Sequence, residues 1–97
     1  MDSSKIITFS LVQDKSTREF YAFMEERMFY SLRWFYFMDE TGNHYFCPEV
    51  RMYNFLSLGK ARCTDANSII ILIKTCNEMP QLANDFLNAF RRAVSHE

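Results

Sequence analysis

The chain has 97 residues, the size of one domain built around one hydrophobic core. It is 48% hydrophobic and 24% charged with a formal net charge of −1, which excludes a disordered polyelectrolyte and leaves no overall field drawing it toward nucleic acid or an anionic membrane. Its longest unbroken apolar run, Ile69–Ile73, is far short of the ~20 residues that span a bilayer, and the leading Met1–Lys5 segment has no signal-peptide pattern. A cytoplasmic or nuclear protein without a membrane partner is the expectation.

Ile6–Val12 alternates, with Ile7, Phe9 and Leu11 on one side, and reads as a strand. The next segment reads as a helix. Ser16-x-x-Glu19 fits a capping box, and Phe20, Phe23, Met24 and Met28 then fall at helical spacing, ending near Tyr30. Leu32–Met38 is bulky on both faces and predicts a strand covered on both sides. Asp39–Asn43 supplies a turn with Gly42 or Asn43 free to take positive φ, and His44–Cys47 returns as the second strand of a hairpin.

Val50–Leu58 fits either element. Asn54 interrupts strand alternation, so a helix is favoured. After a polar loop over Arg62–Asn67, Ser68–Thr75 carries four Ile and one Leu and predicts a buried strand. Pro80 opens a final helix whose apolar face is Leu82, Phe86, Phe90, Ala93 and Val94. Arg91, Arg92 and His96 near its end complement the helix dipole.

The predicted fold is therefore a single α+β domain over residues 1–97 in the order β-α-β-β-α-β-α, with a four-stranded, mainly antiparallel sheet and helices on one face. This order resembles a ferredoxin-like plait with an extra C-terminal helix. With Val50–Leu58 as a strand, the tail and the Arg33-Trp34-Phe35 hairpin resemble a pleckstrin-homology-type barrel capped by that helix.

Little in the sequence points to catalysis. Cys47, Cys63 and Cys76 are an odd number without C-x-x-C spacing, and His44 and His96 stand far from ligand spacing, so no metal is expected. Asp39, Glu40, His44 and Cys47 cluster in sequence, but alternation puts His44 and Cys47 on opposite faces of one strand. Asp14, Ser16 and Thr17 are accounted for by capping. With only Gly42 and Gly59 there is no phosphate-cradling loop, hence no catalytic residue and no cofactor.

What stands out is bulk: ten Phe, five Tyr, one Trp and six Met. At ~150–250 Å² per ring, a core this small has little room for them all. Part of this material is expected on the surface, where Tyr, Trp, Phe, Met and Arg mark interfaces. The candidate partner-binding residues are Tyr21, Phe29, Tyr30, Trp34, Tyr36 and Tyr53. The expected function is a non-enzymatic protein-interaction module, an adaptor or assembly subunit joined to a protein partner or to itself as a dimer. The alternative is a small RNA- or single-strand-binding domain using Trp34–Phe37, Tyr45 and Phe46, with a rim of Arg33, Arg51, Lys60, Arg62 and Lys74. Against it, the RNA-recognition signature is absent from the third strand, Asn43–Pro48, and acidic residues match the basic ones.

Overall fold

A computed structural model describes residues 6–95. They form an α+β domain: a five-stranded, wholly antiparallel open sheet followed by two helices. The strands are β1 (Ile7–Asp14), β2 (Phe20–Phe29), β3 (Leu32–Met38), β4 (His44–Pro48) and β5 (Phe55–Cys63). The helices are α1 (Ala66–Glu78) and α2 (Ala83–Ser95). Two short 3-10 helices, Glu49–Asn54 and Pro80–Leu82, lead into β5 and α2. The sheet order is β4-β3-β2-β1-β5. Four strands run as a meander, and the chain then crosses to pair β5 with β1 on the far side.

The first strand, the β3–β4 hairpin and the final helix stand where the sequence puts them. Met1–Lys5, His96 and the side chain of Val94 lie outside the described residues. Three other segments differ from expectation. The predicted first helix is β2. Ser16 caps nothing; its amide and that of Thr17 bond Asp14 Oδ1 at 2.7 and 3.2 Å, closing a turn in which Arg18 takes φ 70°. The helix-like spacing arises because β2 is apolar on both faces, Phe20 and Met24 packing toward the helices and Phe23 in the cluster on the other side, and the strand is also bulged. Ala22 faces Met38 and Glu25 faces Tyr36, so Met24 is an extra residue that flips the strand's parity.

The predicted Ile-rich strand is α1. Asp65 caps it, accepting the Asn67 amide at 3.0 Å, and Ile69, Leu72, Ile73 and Cys76 form its buried stripe while Ile71 is exposed. The predicted helix over Val50–Leu58 is divided between the 3-10 helix Glu49–Asn54 and β5, which also takes Arg62 and Cys63 from the expected loop. The sheet thus has five strands rather than four. No β-α-β crossover occurs among the described residues, as a ferredoxin-like plait requires, and the sheet stays open rather than closing into a barrel.

Both sheet faces carry apolar clusters. On one, Phe9, Leu11, Phe20, Ala22, Met38, Ala61 and Cys63 pack against Ile69, Leu72, Ile73, Cys76, Ala83 and Leu87 of the helices. Each large side chain buried there is worth about 1.5–3 kcal/mol. On the other, Val12, Phe35 and Phe37 are buried with Tyr21, Phe23, Cys47, Met52 and Phe55 around them, and the Phe37 and Phe55 rings stack at 4.8 Å. The 3-10 helix Glu49–Asn54 supplies Met52 to this second cluster.

Candidate interaction surface

The helices pack on β2 and β5 and reach only as far across β3 as Met38. The helix-side face of the sheet continues beyond them. Residues paired across an antiparallel ladder share a face. Past Ala22 and Met38, that face therefore carries Glu25 with Tyr36, Arg27 with Trp34, and Phe29 with Leu32. On β4 it carries His44 opposite Met38 and Phe46 opposite Tyr36.

These side chains form one row. The Tyr36 ring stacks on His44 with centroids 4.9 Å apart and planes 5° from parallel, and meets Phe46 at 4.9 Å on its other side. Phe46 meets Phe29 edge-on at 6.1 Å. The Arg27 guanidinium lies 5.8 Å from the Tyr36 centroid and is ion-paired with Glu25. Phe29, Leu32 and Phe46 remain 44%, 61% and 46% exposed, so the row is open to solvent along much of its length.

The β2–β3 turn projects from the end of this row. Phe29 pairs with Leu32, leaving Tyr30 and Ser31 as a two-residue loop with φ of 51° and 67°. Positive φ at both positions is the type I′ geometry that matches strand twist and normally selects Asn-Gly. Here a tyrosine occupies it, 98% exposed. Neither residue is held in this conformation by its own preference; the two flanking strands impose it.

Of the six candidate residues, the fold gathers Phe29, Tyr30, Trp34 and Tyr36 in this region. The other two lie elsewhere. Tyr21 is half-buried on the opposite face, edge-on to Phe55 at 6.1 Å, with its hydroxyl donating to Glu19 at 3.0 Å. Burial, and after it the bond to Glu19 and its charge, pushes the Tyr21 phenol up to about 12. Tyr53 is exposed on the 3-10 helix Glu49–Asn54. Leu32 and His44 belong to the row but were not among the candidates, and Phe46 enters the sequence reading only as a stacking residue of the nucleic-acid alternative. The hairpin register would have found Phe46, because a five-residue turn over Asp39–Asn43 places it opposite Tyr36.

No protein-family model, curated protein or solved structure matches this chain. Its functional reading rests on geometry.

The polar clusters noted in the sequence have structural partners. Asp14 Oδ1 also accepts Asn54 Nδ2 at 2.9 Å, tying the β1–β2 turn to the 3-10 helix. His44 stacks on Tyr36 while Cys47 packs on the other face, where burial raises its thiol pKa. A cleft of about 160 Å³ opens beside Cys47, lined by Asp14, Tyr21, Phe37, Tyr45 and Phe55. No helix among the described residues is long and apolar enough to cross a membrane.

Proposed function

We propose that this chain is a non-enzymatic protein-interaction module, an intracellular adaptor or assembly subunit, that docks a protein through the row Phe29, Leu32, Trp34, Tyr36 and Phe46 together with Tyr30. The supporting observation is that the two helices cover only part of one sheet face and leave a continuous aromatic surface beside them. Contiguous apolar patches of this kind on a small domain mark binding sites, and rigid rings bury large area for little lost rotamer entropy.

The second reading, RNA or a single strand stacked on the sheet, draws on the flat Tyr36–His44 pair. The cations beside the row weigh against it. Arg27 is paired with Glu25, and Arg33 on the opposite face with Glu26 at 3.7 Å and Glu49 at 3.5 Å, so phosphates would compete with carboxylates for both.

The two readings separate in one experiment. Associated material is isolated with the wild-type chain and with Trp34→Ser/Tyr36→Ser, before and after nuclease treatment and across a salt series. Protein association that survives nuclease and salt and disappears in the double variant supports the module. Binding that collapses steeply with salt and nuclease supports the nucleic-acid reading. Association unchanged in the double variant removes the aromatic row from either role.

A further inference from the structure

The cleft beside Cys47 lies on the sheet face away from the helices, under the 3-10 helix Glu49–Asn54, and has two ends. The inner end, of about 160 Å³, is walled by Tyr21, Phe37, Tyr45 and Phe55. The outer end, of about 440 Å³, is reached by Ser16, Arg51 and Asn54. Asp14, Cys47 and Phe55 line both, so the two ends form one space. Together they reach the size of ordinary small-molecule sites, roughly 300–1,000 Å³.

The inner end has the dimensions of one ring. An apolar cavity of about 150 Å³ is enough to hold benzene. Phe37 and Phe55 stack at 4.8 Å, and Tyr21 meets Phe55 edge-on, which fixes the walls. The Tyr21 and Tyr45 hydroxyls donate to Glu19 at 3.0 Å and Asp39 at 2.9 Å, neither of which lines the cleft. The tyrosines therefore give this end their rings and spend their hydroxyls elsewhere.

The outer end carries one charge of each sign. Asp14 Oδ1 accepts the Ser16 and Thr17 amides and Asn54 Nδ2, while Oδ2 takes no bond among the described residues. Arg51, unlike Arg27 and Arg33, forms no ion pair among the described residues. Asp14 and Arg51 thus line one cleft without closing on each other. The frame around them is tied: Ser16 Oγ donates to Asn54 Oδ1 at 3.1 Å, and the Lys15 amide donates to the Asn54 carbonyl at 2.8 Å. Both charges reach the Cys47 thiol, whose pKa burial raises most, Arg51 lowers and Asp14 raises.

We infer that this cleft binds a free aromatic amino acid of the size of phenylalanine. Its ring fills the inner end, its ammonium meets Asp14 Oδ2 and its carboxylate meets Arg51. A neutral ring would leave both charges without a partner, and a simple acid or amine would leave one. A zwitterion with one apolar ring answers all three surfaces at once. A residue within a peptide, or at either end of one, lacks at least one of the two charges. The site stands on the opposite sheet face from the aromatic row and does not depend on the role of that row.

The test is calorimetric titration of the full chain with L-phenylalanine, N-acetyl-L-phenylalanine and L-phenylalaninamide. A second readout is the rate at which iodoacetamide alkylates Cys47, followed by mass spectrometry; Cys63 and Cys76 are buried, so the half-buried Cys47 reports occupancy of the cleft. L-Phenylalanine is expected to bind at one site and to slow the alkylation. Each blocked analogue is expected to bind roughly tenfold more weakly or worse, as befits the loss of one charged hydrogen-bonding group. Arg51→Gln, a change at an exposed position, is expected to weaken L-phenylalanine by roughly tenfold and to leave L-phenylalaninamide unaffected. Absence of both heat and protection overturns the inference. Blocked analogues that bind as tightly as L-phenylalanine overturn it as well, because the ring then binds without its charges. Binding that persists in a folded Cys47→Leu variant, whose larger side chain occupies the cleft, places the amino acid elsewhere and also overturns it.

Discussion

Asn77 Oδ1, on α1, accepts the backbone N–H of Phe20 at the start of β2 at 2.7 Å, across 57 positions of sequence. The same amide donates through Nδ2 to Glu40 Oε1 in the β3–β4 turn at 2.8 Å. One side chain thus joins the helical layer to both hairpins. Asn77→Ala leaves the Phe20 donor partly buried without that partner and is expected to lower stability by about 1–3 kcal/mol, measured as a reduced urea midpoint with an unchanged slope.

Asp39 organises the β3–β4 turn. Its Oδ1 accepts from the Thr41 amide at 2.9 Å, the Thr41 hydroxyl at 2.7 Å and the Asn43 amide at 2.9 Å, and its Oδ2 accepts the Tyr45 hydroxyl at 2.9 Å. Partial burial pushes its pKa up, but these hydrogen bonds outweigh that and hold the carboxyl below its usual value of 3.8. A depressed folded-state pKa gives stability that is present above the ordinary value and lost as pH falls through the folded one. Asp39→Asn is expected to cost about 1 kcal/mol at neutral pH and to flatten the loss of stability below pH about 4, read from denaturation midpoints against pH.

Alkaline pH acts with the opposite sign. Burial raises the Cys76 thiol to about 11 from a reference of 9.0, and the Tyr21 phenol is pushed up to about 12. Between the unfolded and folded values the unfolded chain has released protons that the folded chain keeps, so stability falls as pH rises. The expected outcome is a declining denaturation midpoint from pH about 9 upward, made shallower between pH about 9 and 11 by Cys76→Ala, while the other raised thiols and phenols keep the rest of the slope. Cys76 is 0% exposed and is expected to resist thiol reagents at neutral pH until the chain unfolds.

The Tyr30-Ser31 turn trades stability for an exposed ring. Replacing it with Asn-Gly suits the positive φ of both positions and is expected to raise stability by about 1–2 kcal/mol. The same change removes the most exposed aromatic of the proposed surface, so the urea midpoint should rise while association weakens. A variant gaining stability with association intact would show that Tyr30 stands outside the interface.

Local pattern was enough wherever one chemical signal acted without interference. Ile7, Phe9 and Leu11 alternate, the β3–β4 turn carries its own Asp and Gly, and Pro80 marks the approach to the last helix. The surplus of rings likewise required exposed aromatics, and Phe29 and Tyr30 supply them. The rest depended on contacts distant in sequence. Phe20–Phe29 looked helical because apolar residues from both strand faces, Phe20 and Met24 on one and Phe23 on the other, fall at helical spacing, and which face each takes is settled only by the facing strand and its register shift at Met24. Ile69–Ile73 looked like a strand because an unbroken apolar run has no period of its own; Cys76 and the exposed Ile71 show its helical face only once the sheet beneath is in place. The aromatic row was hidden for the same reason. Which of two strand faces is buried is decided by where the helices dock, and here they stop short, leaving Tyr36 and Phe46 beside an open edge.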